Sequence, residues 1–347
     1  MLRLSSYALD AETPLDLLTD YLTPTDLFFV RHHWNPASVD LRDWTLVVDG
    51  EVANPQRLTL ADLRRMPQSS ATCVLQCAGN GRALFDPAIP GVQWKYGAVA
   101  NARWSGVRVK HVLDRARIRA SAKHLHTLGS DVPPRKVPPF ARSIELDKVI
   151  EDGIIALDMN GEPLSHLHGA PARLIVPGWA GDHWMKWLRQ LRAAPASQTG
   201  FFMETAYRYP KQPGAAGVVF PPDQMGFVRE LFVKSSITTA PARTTRGVPV
   251  TIKGFAFSGA PDIANVEISD DGGATWKVAE LDAEHDPYAW RLWSCRWTPQ
   301  RKGTVTIAVR ATDSRGSVQP RDAVWNQSGY LHNGWHTATI DVTDGVP

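Results

Sequence analysis

Leu75-Gln76-Cys77-Ala78-Gly79-Asn80-Gly81-Arg82 carries more information than any other run in the chain. It closes an apolar stretch, residues 71–77, that reads as a buried strand. It then enters Gly-Asn-Gly, so the thiol of Cys77 is presented at a tight turn. A glycine on either side of Asn80 lets the backbone come close to a bulky ligand. A thiolate placed in this way is either a nucleophile or a soft metal ligand.

Working outward from this turn, the first part of the chain is a mixture of short elements and irregular loops. Residues 44–52 alternate and end in Asp-Gly, a strand-and-turn signal. Thr59 to Leu63 opens a short helix that closes before Pro67, and residues 106–118 have helical apolar spacing at Val109, Val112, Leu113 and Ala116. Residues 123–128 and 172–177 read as strands, separated by a stretch containing Pro133, Pro134, Pro138 and Pro139. A Thr-rich stretch at 236–246 reads as a linker. After it, roughly six or seven short strands follow at sandwich-like spacing. The expected class is α+β: a mixed α/β domain over 1–240 that suits a large cofactor, then an immunoglobulin-like β-sandwich over 241–347. Ser269 to Trp276 has the Asp-box pattern of one hairpin, and turn chemistry alone accounts for it.

Bulk properties narrow the function. The chain has 347 residues and a net charge of +3, too little to argue for nucleic acid or an acidic membrane surface. Three cysteines (Cys73, Cys77, Cys295) make no disulfide framework, and Cys73 and Cys77 lack a second pair for a zinc ribbon. No Cys-x-x-Cys-His motif for covalent haem occurs. The start lacks a secretory h-region, and no stretch reaches the ~18 apolar residues of a membrane span, so a cytoplasmic location is expected.

Three further runs carry chemistry. Phe28 to Pro36 buries an apolar approach and then releases Arg31-His32-His33; alone it would be a basic surface turn, but arginine offers a planar fork to an oxyanion. His166-Leu167-His168 would set two imidazoles on one strand face, a possible zinc pair that lacks its third and fourth ligands. Leu174 to Trp187 delivers a Gly-punctuated loop whose amides can face an anion, followed by Lys186; its plain alternative is a strand-to-helix turn. Trp94 and Tyr207 could simply be core aromatics.

Taken together, these runs resemble the sulfite oxidase family. The Cys77 run is similar to its Cys-Ala-Gly-Asn-Arg-Arg motif, with Gly81 in place of the first arginine. Phe28 to His33 resembles Phe-x-Val-Arg-Asn-His, with His32 for asparagine. His168 to Arg173 resembles the end of Asp-His-Gly-x-Pro-x-Arg, and Val176 to Trp187 resembles Val-Pro-Gly-x-x-Gly-x-x-x-x-Lys-Trp. The resemblance implies molybdenum bound by Cys77 and by molybdopterin. It implies pterin contacts from Phe29, Val30, Arg31, His32, His33, Asp131, His168, Arg173, Trp184, Met185 and Lys186. Arg31, Arg82, Trp94 and Tyr207, with Tyr209 as a rival, become the catalytic set. Ser328 stands where animal members have an arginine, which implies a less positive pocket. The implied reaction is oxidation of sulfite to sulfate by oxygen-atom transfer. No haem or flavin motif is visible in this chain, so electrons would pass to oxygen or to a separate redox protein. A homodimer is implied too. The rivals are nitrate or sulfoxide reduction on the same fold and, outside the class, a non-catalytic anion- or carbohydrate-binding protein.

Overall fold

A computed structural model describes residues 1–5, 8–34 and 39–344. Asn35 and Pro36, the expected end of the Arg-His-His run, lie outside the described residues.

The Cys77 turn is delivered by an antiparallel five-stranded sheet. Gln68–Gln76 pairs antiparallel with Val99–Arg108, which pairs with Ile154–Met159; Arg173–Ile175 and Glu162–Pro163 complete it. A second sheet runs in the order Gln56–Thr59, Thr45–Gly50, Leu188–Ala194, His124–Gly129, Ala141–Glu145, with only the Thr45–Gly50 and Leu188–Ala194 pair parallel. A small sheet of Leu2–Ser5, Asp10–Glu12 and Val30–Arg31 brings in the arginine. Helices are short. Leu60–Arg65 is closed at its start by a capping box between Thr59 and Asp62. The helix expected over 106–118 is Val109–Ala116; residues 106–108 belong to the long strand, whose ladder with Gln68–Gln76 continues to Val107. Among the described residues no helix is long and apolar enough to cross a membrane.

Two sheets with a shared core make up the C-terminal part. One runs Lys234–Thr239, Val250–Phe257, Arg291–Trp297, Glu280–Leu281; the other runs Arg243–Thr245, His336–Thr343, Gly303–Asp313, Ile263–Ser269, Lys277–Val278. Ile252, Val266, Trp293, Ile307 and Ile340 pack between them. The expected linker at 236–246 is therefore wrong in part, and a boundary at 240/241 falls after the first sandwich strand. Lys234–Thr239 pairs with Val250–Phe257, and its hydroxyls looked like linker chemistry only because their partners are distant. The Ser235 hydroxyl donates to the Phe255 carbonyl and accepts from the Trp293 indole, both at 3.0 Å.

Lys234, 2% exposed, stands where this strand meets the first domain. Its ammonium donates to the His332 carbonyl at 3.0 Å and lies 5.9 Å from the Tyr96 ring centre, and among the described residues no carboxylate pairs with it. Burial pushes its pKa down to about 7. Between there and the ordinary lysine range near ~10.4, the unfolded chain binds a proton that the folded chain does not, so stability rises with pH across that window. Below it the full penalty applies. Lys234→Met is expected to raise Tm by several degrees at pH 6, with the gain shrinking toward pH 10. Thermal melts across this range check it; a gain that does not vary with pH would contradict a desolvated amine.

Candidate active site

The turn after Gln76 is pinned by its own backbone and by Asn80. Cys77 N–H continues the ladder to the Ala98 carbonyl at 2.9 Å, and Asn80 N–H closes back on the Cys77 carbonyl at 2.9 Å. The Asn80 side chain, 1% exposed, bonds Gln76 Oε1 and the Ala98 N–H, both at 3.1 Å. The two glycines were expected to admit a ligand; Gly79 does line the smaller of two neighbouring cavities, and both also make room for side chains of this chain. A Cβ at Gly79 would meet the Arg82 guanidinium at 2.9 Å, and one at Gly81, where φ is +93°, would meet His332 at 2.7 Å. Any arginine at 81 would thus displace His332.

Cys77 stands in the wall between two cavities. The larger, about 670 Å³, is lined by Phe29, Arg31, His33, Cys77, Asp131, Phe140, His168, Arg173, Asp182, Trp184, Met185, Lys186 and Tyr207, among others. The alternation of an extended chain sorts the Phe29–His33 run. Phe29, Arg31 and His33 face the cavity. Val30 and His32 do not: they are 1% and 3% exposed, and the His32 imidazole meets the Leu167 carbonyl at 3.3 Å and the Trp187 ring. Their side chains pack behind the cavity wall rather than in it. His166 and His168 lie in a 3₁₀ turn rather than a strand. His168 faces the cavity, while the His166 carbonyl accepts from the Trp187 indole. Among the described residues no group of three or more His, Cys, Asp or Glu could hold a metal, so an ion at Cys77 would take its other ligands from outside the protein.

Three basic residues, Arg31, Arg173 and Lys186, line this cavity beside two carboxylates, Asp131 and Asp182. Arg173 is 5% exposed, with its guanidinium against Trp104 and Trp184 and its Nε–H without a partner among the described residues. Burial pushes its pKa down to about 9. Lys186 is driven well below its usual range by burial and then by repulsion from Arg173 and Arg31. Burial, with Arg173 and Lys186, lowers His168 to about 4. Burial raises Asp131 to about 6, although Lys186 draws it the other way. Of these cations Arg31 alone has a close carboxylate among the described residues, Asp10 at 3.2 Å. Burial likewise raises the Cys77 thiol, against the pull of Arg31 and Arg82.

The smaller cavity, about 440 Å³, shares Arg31, Cys77 and Tyr207 with the first and adds Arg82, Trp94 and Tyr330. The Arg82 fork is held by the carbonyls of Val92 at 3.3 Å and Ser328 at 3.2 Å, while its buried Nε–H has no partner. Ser328 thus meets the site through its carbonyl; its side chain does not line either cavity. Tyr207, not Tyr209, is the site tyrosine: its hydroxyl is 2.5 Å from His33 Nε2, while Tyr209 packs on Phe232.

Sequence reasoning missed Tyr330, Phe140 and Asp182. Tyr330 stacks on Tyr207 at 5.3 Å and carries Arg82 at 5.2 Å from its ring centre. It comes from the second domain, where Leu331 N–H bonds the Ala78 carbonyl at 2.8 Å. Its position two residues after Ser328 was the available signal. Asp182 was quoted within its run, but its partner Arg142 is far away in sequence.

Comparison with known proteins agrees with this arrangement. Residues 32–202 match the oxidoreductase molybdopterin binding domain, and residues 227–343 match the Mo-co oxidoreductase dimerisation domain. The chain is 32% identical to sulfite oxidase of Arabidopsis thaliana, covering 95% of this chain and 91% of that protein. It is 34% identical to sulfite oxidase of Gallus gallus, covering 94% and 75%. Against mitochondrial sulfite oxidase of Homo sapiens it is 33% identical over 96% of this chain but spans 64% of that protein's length; for the Drosophila melanogaster protein the span is 62%. Among solved structures, the sulfane dehydrogenase SoxCD of Paracoccus pantotrophus superposes with a TM-score of 0.84 at 28% identity, covering 96% of this chain and 85% of that one. The chain belongs to the sulfite oxidase family and carries that family's molybdopterin-binding domain.

Proposed function

We propose that this protein oxidises sulfite to sulfate with a molybdenum–molybdopterin cofactor. The observation that supports this most directly is the shared wall of the two cavities, where Cys77, Arg31 and Tyr207 face both a large chamber and a small one. The residues fit the cofactor. The large chamber gathers Arg31, Arg173 and Lys186, whose mutual repulsion a bound phosphate would relieve, and the unpartnered Arg173 Nε–H offers a donor. His168, Arg173, Lys186 and Asp131 would hold the pterin and its phosphate, and Cys77 would be the protein ligand to the metal.

When bound, such a centre supplies two-electron oxygen-atom transfer; sulfite gains one oxygen, and water, two protons and two electrons balance the cycle. The chain's own work is placement and field. Arg31 and Arg82 face the small chamber as fixed cations and neutralise an oxyanion there. Trp94, 1% exposed, forms its apolar wall. The Tyr207 hydroxyl is oriented by His33, which burial keeps neutral. The sandwich is read as immunoglobulin-like and as the contact surface of a homodimer, supported by the dimerisation-domain match.

A second reading, oxidation of a sulfane sulfur, is favoured by the likeness to SoxCD. Metal and pterin analysis of the purified protein, followed by assays with sulfite, a sulfane and nitrate against an artificial electron carrier, separates these. Protein from a molybdenum-replete host with no molybdenum would overturn the proposal. Charge-assisted bonds to an oxyanion are worth roughly 1.5–3 kcal/mol each, so Arg82→Ala is expected to raise the KM for sulfite about tenfold or more. An unchanged KM would remove Arg82 from the anion site.

A further inference from the structure

We infer that Arg142, Asp182 and His183 form a buried positioning cluster that holds Tyr207 in place for the oxyanion; the inference rests on the sulfite reading above. Arg142 comes from the strand Ala141–Glu145, and the other two come from the 3₁₀ turn Gly181–His183. Arg142 Nη2 lies 2.7 Å from Asp182 Oδ2 and 3.2 Å from His183 Nε2, and Nη1 donates to the Phe202 carbonyl. His183 Nδ1 lies 3.3 Å from the same Asp182 oxygen. The two charged side chains are 0% and 1% exposed.

A buried ion pair is seldom more stabilising than apolar residues of the same size, so stability alone gives no reason for one here. Nor does Arg142 bind the anion, since it lines neither cavity. It does touch Tyr207, which lines both. The Arg142 guanidinium carbon is 5.1 Å from the centre of the Tyr207 ring. That ring stacks on Tyr330 within 6° of parallel, and Tyr330 in turn carries Arg82. The result is a column, Arg142–Tyr207–Tyr330–Arg82, running from the buried pair to the small chamber. Tyr207 also has a φ of +56°, in the left-handed region that a side chain of this size adopts only when its surroundings impose it. A guanidinium fixed by three partners is a rigid plane, which an ammonium cannot replace. It keeps the ring where the hydroxyl reaches His33 and the chamber.

The test uses the cofactor-loaded enzyme and the Arg142→Ala/Asp182→Ala double variant, which removes both charges and leaves neither unpaired. Tyrosines are replaced by 3-fluorotyrosine, and Tyr207→Phe identifies the Tyr207 fluorine signal. Asp182 also lines the large chamber, so molybdenum and pterin contents are measured first and kinetics are read per loaded site. The double variant's KM for sulfite should rise about tenfold with kcat within about threefold, and its Tyr207 signal should shift or broaden. A KM and a signal both like wild type would reduce the cluster to core packing, and a raised KM with an unmoved signal would show that it does not act through Tyr207. If the double variant fails to fold, Arg142→Lys keeps the charge and loses the plane, and its KM and signal are read in the same way. Wild-type enzyme that does not turn over sulfite would end the sulfite reading alone, because the fluorine signal still reports whether the cluster holds the ring.

Discussion

Cys77→Ser is expected to leave a folded protein with less than about a thousandth of wild-type turnover. A serine hydroxyl is a harder and far less acidic donor than a thiol, so it neither anchors a soft metal nor tunes it in the same way. The fold should tolerate the change. The turn is held by backbone bonds and by Asn80 rather than by the thiol, and serine fits the space. Circular dichroism and thermal melts would report the fold, and steady-state sulfite oxidation the activity. Turnover near wild type in Cys77→Ser would show that this side chain does not hold the metal.

Arg173→Met should separate cofactor retention from stability. Arg173 lies against Trp104 and Trp184, so methionine fills much of the same space without a charge. The loss of one or two charge-assisted bonds to a phosphate, roughly 1.5–3 kcal/mol each, corresponds to at least tenfold weaker retention of the pterin. The cofactor-free variant should melt no lower than cofactor-free wild type, because an uncompensated buried cation has been removed. Pterin fluorescence after denaturation and metal content measure the first effect. Full cofactor content in the variant would place the phosphate elsewhere.

The parts of the site carried by local chemistry were legible in the sequence. The Cys77 turn, the Arg31 run and the run from His168 to Lys186 each combine a strand end with glycine, proline or a basic group, and such signals lie within a few residues. The alternation of an extended chain would also have separated Phe29, Arg31 and His33 from Val30 and His32, had period two been applied to that run. Long-range partners were not legible. Residues 236–239 looked like linker until the ladder to Val250–Phe257 made them part of a strand. Gly81 read as an opening for a ligand until His332, from the other domain, filled it. Ser328 was taken for a missing charge, whereas its carbonyl bonds Arg82 and Tyr330 supplies the neighbouring wall. In each case the deciding contact joins distant segments, which a reading of neighbouring residues does not reach.

The stretch from Ser328 to His332 has a consequence for how such a chain can be rebuilt. Its carbonyl on Arg82, the Tyr330 ring on Tyr207, the Leu331 amide on Ala78 and the His332 ring over Gly81 are all fitted to partners in the other half. The halves therefore cannot be exchanged between relatives as independent modules. A chimera joined between the two would import a loop cut for another enzyme's turn, and substitutions on either side of that seam must be compatible for either to be tolerated. A laboratory that wishes to alter substrate choice would have to vary this short loop together with Ala78, Gly81, Arg82 and Tyr207, the residues to which it is fitted.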